Sequence, residues 1–315
     1  MTTATCKERL VRLASLCCAV LACATAFAGQ ARAQALAPDQ RELSEEEAHR
    51  LLPRADLGGL TGVQRATLLD VAGDTFDYAG CSSTLAACLR ADVKDKHAPR
   101  MARLAVLLIQ DGLSSSQTIF YLERYYAAFA ESKRKKLDAT DCPILGDPKT
   151  PVVVVEFSDY QCPHCAAVVK PLHELVEQEK GKLHLCSKYF PLPGHPRAHL
   201  AAACAEYARH RGKFWEMSDQ LFAKQDDLDD ANLKSFAQQL KLGDGTEMLK
   251  EAYAGKFDAE IDKQLQEGVA ANVEATPTLF FNGRMFALPV KPEYLRRSTR
   301  DELEWQHNGG AWDKE

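Results

Sequence analysis

A strand–helix–strand pattern between residues 152 and 189 constrains the fold of this sequence more than any other feature. The apolar run Val152–Phe157 predicts a buried strand, and helical spacing follows from Cys162 to Lys180. A second predicted strand, Leu183–Tyr189, completes a β–α–β unit. Cys162 and Cys165 stand at the turn into the helix, where unpaired backbone N–H groups and the helix dipole stabilise a thiolate. Because the thiolate is the species that attacks disulfides, the pair predicts a redox site.

The pattern changes after the second strand. Residues 197–271 have almost continuous helical spacing, with breaks near Gly212, Asp226 and Gly243. The sequence then predicts two short strands, Thr278–Phe281 and Met285–Leu288, joined by a tight turn at Asn282-Gly283. A closing helix is predicted at Thr299–Trp305. This order predicts an α/β thioredoxin fold with a helical insertion.

Four groups of residues resemble the DsbA family of periplasmic thiol–disulfide oxidoreductases over about residues 150–305. They are Cys162-Pro163-His164-Cys165, Glu156 six residues earlier, Thr276-Pro277-Thr278, and Gly212-Lys213-Phe214-Trp215. Zinc binding by four cysteines would need a second close pair, and residues 34–315 contain no other Cys-x-x-Cys. The spacing of His195 and His199 is weak support for a metal site. We therefore expect neither a metal nor a cofactor.

The resemblance implies a role for each residue of the site. Cys162 would be the exposed nucleophile, with Pro163 and His164 beside it, and the more buried Cys165 would resolve the mixed disulfide. Burial should raise the pKa of Glu156, which would relay protons to the buried cysteine. Lys188, on the next predicted strand, is a candidate partner for that carboxyl group. Pro277 would be a cis-proline that presents the Thr276 backbone to a client chain; a trans proline at the start of a strand is the alternative.

The N-terminal half has a helical pattern and predicts a small all-α domain over residues 34–138. Ser44 and Ser114 can cap helices, and residues 61–72 and 101–110 have helical spacing. Residues 66–130 resemble the helical module of the CcmH family of cytochrome c maturation. That resemblance is carried by Ala98-Pro99-Arg100-Met101-Ala102-Arg103, Asp111-Gly112, Ser114-Ser115-Ser116-Gln117 and Leu122-Glu123-Arg124-Tyr125.

The cysteines of this half depart from the CcmH pattern. Cys88 matches the second cysteine of that family, but Leu85 stands where the first would be, and the nearest partner is Cys81. On one helix, seven residues span about 10.5 Å, beyond the reach of a disulfide. The two can bond only if the chain turns back near Gly80. A structural disulfide and a second redox pair both remain open.

Three more cysteines have no assigned partner. Cys186 and Cys204 are either two buried thiols or a structural disulfide with each other. Cys142, in the turn-rich stretch 139–150, would then be the odd thiol.

The first 33 residues have the form of a secretory leader. Lys7, Arg9 and Arg12 precede an apolar stretch, and Ala31-Arg32-Ala33 offers a cleavage site; an uncleaved membrane anchor is the alternative. The net charge of the chain is −5, and four of its 39 basic residues but one of its 44 acidic residues lie in this leader. The remaining chain is therefore acidic, which argues against nonspecific binding to nucleic acid.

These patterns predict five segments: a leader (1–33), a helical domain (34–138), a linker (139–150), a thioredoxin domain (151–306) and a tail (307–315). The function they favour is periplasmic thiol–disulfide exchange with cysteine-containing exported proteins, in a direction that the sequence leaves open. A membrane redox partner of the DsbB or DsbD type is expected, and apocytochrome c is a candidate client. The alternative is a scaffold that binds apocytochrome or other clients, with secondary redox activity.

Overall fold

A computed structural model describes residues 41–78, 81–91 and 96–312 of the chain. The predicted leader and the last three residues lie outside the described residues. Within the described part, no helix is both long and apolar enough to cross a membrane.

The N-terminal half is helical, as the sequence predicts. Ser44, Thr61 and Ser114 each cap a helix by accepting a hydrogen bond from the backbone N–H three residues later. Five helices follow the chain from α1 to α5: Glu45–Leu51, Gly62–Asp74, Leu85–Arg90, His97–Gln110 and Ser115–Ala127.

The C-terminal half contains one five-stranded sheet in the order β1-β3-β2-β4-β5. β2 is parallel to β3, and the other neighbouring pairs are antiparallel. Asn282 and Gly283 have positive φ and form the turn between β4 and β5. The strands are Ile144–Leu145, Val152–Ser158, Leu183–Tyr189, Thr278–Phe281 and Arg284–Met285.

Seven helices accompany the sheet. The β–α–β unit and the predicted helical insertion are both present. The insertion consists of five helices between β3 and β4, which pack around a separate apolar cluster. From α6 to α12 the helices are Pro163–Gln178, Ala198–Arg209, Phe214–Ala223, Asp230–Gln239, Thr246–Tyr253, Asp258–Ala270 and Pro292–His307.

Three expectations about element bounds are wrong. The second strand of the hairpin is Arg284–Met285, not Met285–Leu288. The stretch predicted as a linker contributes β1, which pairs with β3 through Ile144 and Cys186. The closing helix begins at Pro292, seven residues before its predicted start, because polar residues such as Arg297 and Asp301 lie on its buried face. Apolar periodicity cannot detect a helix whose buried face is polar.

The two halves share one hydrophobic core. Leu104 and Leu122 of the helical half belong to the same buried cluster as Val154 and Leu172 of the sheet half. Polar contacts reinforce this packing on α12, where the Tyr125 hydroxyl donates to Asp301 at 2.9 Å. The N-terminal helices therefore pack against the sheet half, with α12 at the contact.

Glu302 of α12 joins three parts of the chain. Its carboxylate lies 2.7 Å from Arg134 Nη1 and 3.0 Å from Arg284 Nε, and the side chains of Glu302 and Arg284 are 1% and 0% exposed. The guanidinium of Arg284 also lies 3.9 Å from the centre of the Phe129 ring. Arg134, within the basic run of residues 133–136, is therefore tied to the core by Glu302.

We expect Glu302→Ala to lower the free energy of unfolding by about 3–5 kcal/mol, because it leaves the buried Arg284 without a counter-charge and removes the closest carboxylate from Arg134. Urea denaturation measures the change. Glu177→Ala, an exposed substitution on α6, is the control and should change stability by less than about 0.5 kcal/mol. Equal effects of the two substitutions would contradict the structural role of Glu302.

Candidate active site

The two cysteines of the Cys-x-x-Cys motif lie at the start of α6. Cys162 is the N-cap residue, with extended backbone, and Pro163 is the first residue of the helix. Cys165 follows within the first turn, and both cysteines are free thiols. Pro163 and His164 are exposed on the surface of that turn.

Cys162 is more buried than the sequence suggests. It is only 4% exposed, whereas an exposed nucleophile was expected. The reason is the loop before β4, since the Cys162 thiol donates a hydrogen bond to the Thr276 carbonyl at 3.2 Å. The Thr276–Pro277 peptide bond is cis, as predicted. The fold therefore places Cys162 beside Thr276 and Pro277, although Cys162 and Thr276 are 114 residues apart in sequence.

Cys165 is completely buried below Cys162, and its environment favours the protonated thiol. Burial raises the pKa of Cys165, and the negative charge of Glu156 raises it further. The Asp159 N–H donates to the Cys165 sulfur at 3.5 Å, which partly opposes this effect. The buried cysteine thus needs a proton acceptor before it can react as a thiolate.

Glu156 is the acid of this buried layer. It lies in the central strand β2 and is 5% exposed, and burial raises its pKa to about 7, against a weaker opposing hydrogen bond with Ser158. Its Oε1 atom has no hydrogen-bond partner within the described structure. A carboxyl group that titrates near neutral pH beside a buried thiol can accept and return a proton.

Lys188 does not pair with Glu156, so this expectation is wrong. In the parallel register, Glu156 is opposite Ser187, and Lys188 is opposite Phe157. Because side chains alternate along a strand, Lys188 lies on the other face of the sheet. There it forms an ion pair with Glu267 of α11.

A small cavity lies beside Glu156, between the sheet and the helices α6 and α8. Its lining includes His173, Ser187, Trp215 and Ser218. Burial lowers the pKa of His173, which favours its neutral form. The buried carboxyl therefore borders a cavity whose lining includes polar side chains.

Asp159 organises the loop before Cys162, which sequence reasoning missed. Its buried carboxylate accepts hydrogen bonds from the N–H groups of Gln161 and Leu192, and it lies 2.8 Å from His195 Nδ1. The sequence offers only weak support for His195 and His199 as metal ligands, and does not indicate a contact between His195 and Asp159. Among the described residues, no group of three or more His, Cys, Asp or Glu side chains could hold a metal. Only the fold brings Asp159 and His195 together, so no spacing rule could have found them.

Among the described residues, four of the other five cysteines form two disulfides. Cys81 and Cys88 are bonded, and the pairing of Phe76 with Thr84 shows that the chain turns back before α3. Gly80, the residue expected to permit that turn, lies outside the described residues.

Two expectations about the remaining cysteines are wrong. Cys142 is bonded to Cys186, so it is not the odd thiol, and no Cys186–Cys204 bond exists. Strand β1 causes this pairing, because Ile144 lies opposite Cys186 and brings Cys142 close to it. Cys204 is a free, fully buried thiol, and burial raises its pKa to about 12.

Comparison with known proteins supports this assignment of the fold. A family model described as Thioredoxin matches residues 138–299, about half of the chain. The crystal structure of oxidised BdbD from Bacillus subtilis superposes with a TM-score of 0.50 at 22% identity. The match covers 54% of this chain and 97% of BdbD. At this identity, the likeness concerns the fold alone.

The curated relatives are longer proteins. The Na(+)/H(+) antiporter NhaA 3 of Salinispora tropica is 29% identical over 216 residues, which is 63% of this chain and 33% of the relative. The Na(+)/H(+) antiporter NhaA 1 of Mycobacterium sp. (strain KMS) is 34% identical over 157 residues, which is 49% of this chain and 26% of the relative. The chain thus matches about a third or less of the length of these relatives.

The raised pKa of Glu156 predicts a pH-dependent difference in stability between the reduced wild type and Glu156→Gln. In the wild type, the carboxyl ionises near pH 4.5 when unfolded and near pH 7 when folded. Between these values only the folded state holds the proton, so this group's contribution to the free energy of unfolding falls as the pH rises. Glutamine cannot ionise, so we expect the variant to gain about 3 kcal/mol relative to wild type from pH 4 to pH 8.

Urea denaturation at pH 4, 6 and 8 measures this difference, and effects of the other titrating groups cancel in the comparison. Glu177→Gln, on the exposed face of α6, is the matched control and should give parallel curves. If the Glu156→Gln curve also stays parallel to wild type, the carboxyl titrates at its ordinary pKa and cannot be the proton acceptor described above.

Proposed function

The chain belongs to the thioredoxin family, and from this premise we propose that it is a thiol–disulfide oxidoreductase. In this proposal Cys162 and Cys165 exchange disulfides with the cysteines of client proteins. The observation that carries the proposal is the difference between the two thiols. Cys162 lies at a helix N-terminus beside the Thr276 carbonyl, and Cys165 lies buried against Glu156.

The reaction begins, in the oxidising direction, with a Cys162–Cys165 disulfide. A client thiolate attacks the Cys162 sulfur, the Cys162–Cys165 bond breaks, and Cys165 leaves with the electron pair and takes a proton from Glu156. A second client thiolate then attacks the client sulfur of the mixed disulfide. The client is released with a disulfide, and both protein cysteines are left reduced. The two electrons have passed from the client to the Cys162–Cys165 pair.

The reducing direction reverses each step. The Cys162 thiolate attacks a client disulfide and releases one client thiolate. Glu156 then accepts the proton of Cys165, and the Cys165 thiolate attacks Cys162 and frees the second client sulfur. The role of Thr276 and Pro277 is the same in both directions: their backbone aligns the client chain beside Cys162. Pro163 and His164 form the exposed rim of the site.

The compartment we propose is the periplasm. The leader pattern at residues 1–33 supports export, and the Cys81–Cys88 and Cys142–Cys186 bonds suit an oxidising compartment. The clients would then be exported proteins with cysteines, and a membrane protein of the DsbB or DsbD type would restore the redox state of Cys162 and Cys165. Binding of apocytochrome c remains a prediction from the resemblance of residues 66–130 to CcmH.

The reduction potential decides the direction of exchange. Equilibration with glutathione buffers, followed by acid trapping, measures the oxidised fraction of the Cys162–Cys165 pair. A reduction potential close to that of thioredoxin, about −270 mV, would exclude an oxidase. A strong oxidant such as DsbA has a reduction potential of about −120 mV.

Substitution of single cysteines tests the proposed chemistry. In reaction with oxidised glutathione, we expect the reduced wild type to be oxidised and Cys162→Ser to react only at the rate of the solution background. Cys165→Ser should accumulate a stable mixed disulfide with one glutathione, because the resolving thiol is missing. Mass spectrometry after acid quenching follows each species.

Cys204→Ser is the matched control, since its thiol is buried and free but distant in sequence from the site. It should react like the wild type. If the wild type reacts no faster than Cys162→Ser, the proposed enzyme activity is wrong.

A further inference from the structure

A basic cleft of about 540 Å³ lies between the helical half and the free edge of the sheet. One wall is the end of α5 and the segment after it, with Arg124, Lys133 and Lys135. The opposite side contains Met285, Ala287 and Asn272. The cleft therefore has one wall from each half of the chain.

The lining of the cleft is basic and contains no acidic residue. Within the described structure, none of Arg124, Lys133 and Lys135 forms an ion pair, and Arg124 lies over the Phe120 ring at 5.0 Å. Arg134 has extended backbone and is paired with Glu302 in the core. Lys133 and Lys135, on either side of this anchor, both line the cleft. The positive charge of the cleft is thus fixed by the fold and not balanced within it.

The cleft begins close to the peptide that faces Cys162. The Phe286 N–H donates to the Leu279 carbonyl at 2.8 Å, so Ala287, the next residue, lies at the end of β5 that is nearest the start of β4. Thr278 directly follows Pro277. A client chain held beside Thr276 can therefore continue into the cleft within one or two residues.

The floor of the cleft also offers backbone hydrogen bonds. β5 is the edge strand, and Phe286, next to Met285, directs its N–H toward β4. In an antiparallel ladder the intervening residue directs its own N–H and carbonyl groups outward. The backbone of Met285 thus faces away from β4. The Lys135 N–H already donates to the Gly283 carbonyl on this side, so an extended peptide can pair with the edge only from Met285 onward.

We propose that this cleft binds an acidic, extended segment of the client polypeptide next to its reactive cysteine. The inference rests on the proposed thiol–disulfide exchange and adds the class of client to it. Carboxylate side chains complement the three basic side chains, and steering by an unpaired basic cleft speeds association at low salt. Clients with acidic residues beside the cysteine are then the preferred substrates.

Three synthetic peptides test the proposal with the oxidised full-length protein. Each contains one reduced cysteine flanked on both sides by Asp and Glu, by Ser and Gly, or by Lys and Arg. Formation of the mixed disulfide is followed by acid quenching and mass spectrometry. The rate of each peptide with oxidised glutathione corrects for its intrinsic thiol reactivity. We expect the acidic peptide to react about tenfold faster than the neutral one at low salt, and the difference to shrink at high salt.

Charge-reversal variants test whether the basic residues of the cleft cause the preference for the acidic peptide. Arg124→Glu/Lys133→Glu should remove the preference for the acidic peptide and leave the rate of the neutral peptide unchanged. Lys170→Glu/Lys180→Glu, two exposed changes on α6 and just beyond it, alters the net charge equally and should keep the preference. An unchanged preference in the first variant, or an equal loss in both, would overturn the proposal.

A binding measurement separates this inference from the proposed function. A fluorescent acidic peptide with serine in place of cysteine should bind the wild type more tightly than Arg124→Glu/Lys133→Glu, by fluorescence anisotropy. If no peptide exchanges disulfides but this binding difference is present, the proposed function is wrong, and the binding of acidic segments in the cleft is supported. If exchange occurs without any difference between acidic and neutral peptides, only the cleft fails.

Discussion

The buried carboxylate of Glu302 fixes the position of the sheet edge relative to the N-terminal helices. Two guanidinium groups approach it from different parts of the chain, Arg134 from the segment after α5 and Arg284 from β5. Charges removed from water are retained only when they are paired in good geometry, so this pairing admits very little displacement. The edge strand and the cleft beside it take their places from this arrangement.

The reactive end of the sheet depends on a different constraint, the change from strand to helix between β2 and α6. Glu156 lies in the strand and Cys162 caps the helix, so one short segment supplies both the acid and the outer thiol. The Thr276 carbonyl reaches Cys162 from the opposite side. Two thiols three residues apart therefore experience different surroundings, which is the property that directional exchange requires.

Sequence patterns predicted the β–α–β unit, the helical insertion and the hairpin because these elements have strong local signals. The cis bond before Pro277 also agreed with the family resemblance. Two of the failures concern pairings set by register. Local patterns predicted neither that Cys142 would meet Cys186 nor that Lys188 would face away from Glu156. The predicted closing helix is shorter than the observed one, because the buried face of that helix contains charged side chains that pair with residues of other segments.

The shared core has a consequence for how this chain can be divided. Leu104 and Leu122 fill the same apolar interior as Val154, so removing residues 41–138 would leave one side of the sheet half without its cover. A shortened protein of that kind would expose a large apolar face, and its insolubility could be mistaken for the loss of a recruiting module. The N-terminal helices therefore share their interior packing with the thioredoxin-fold half and do not form a separate unit attached to it.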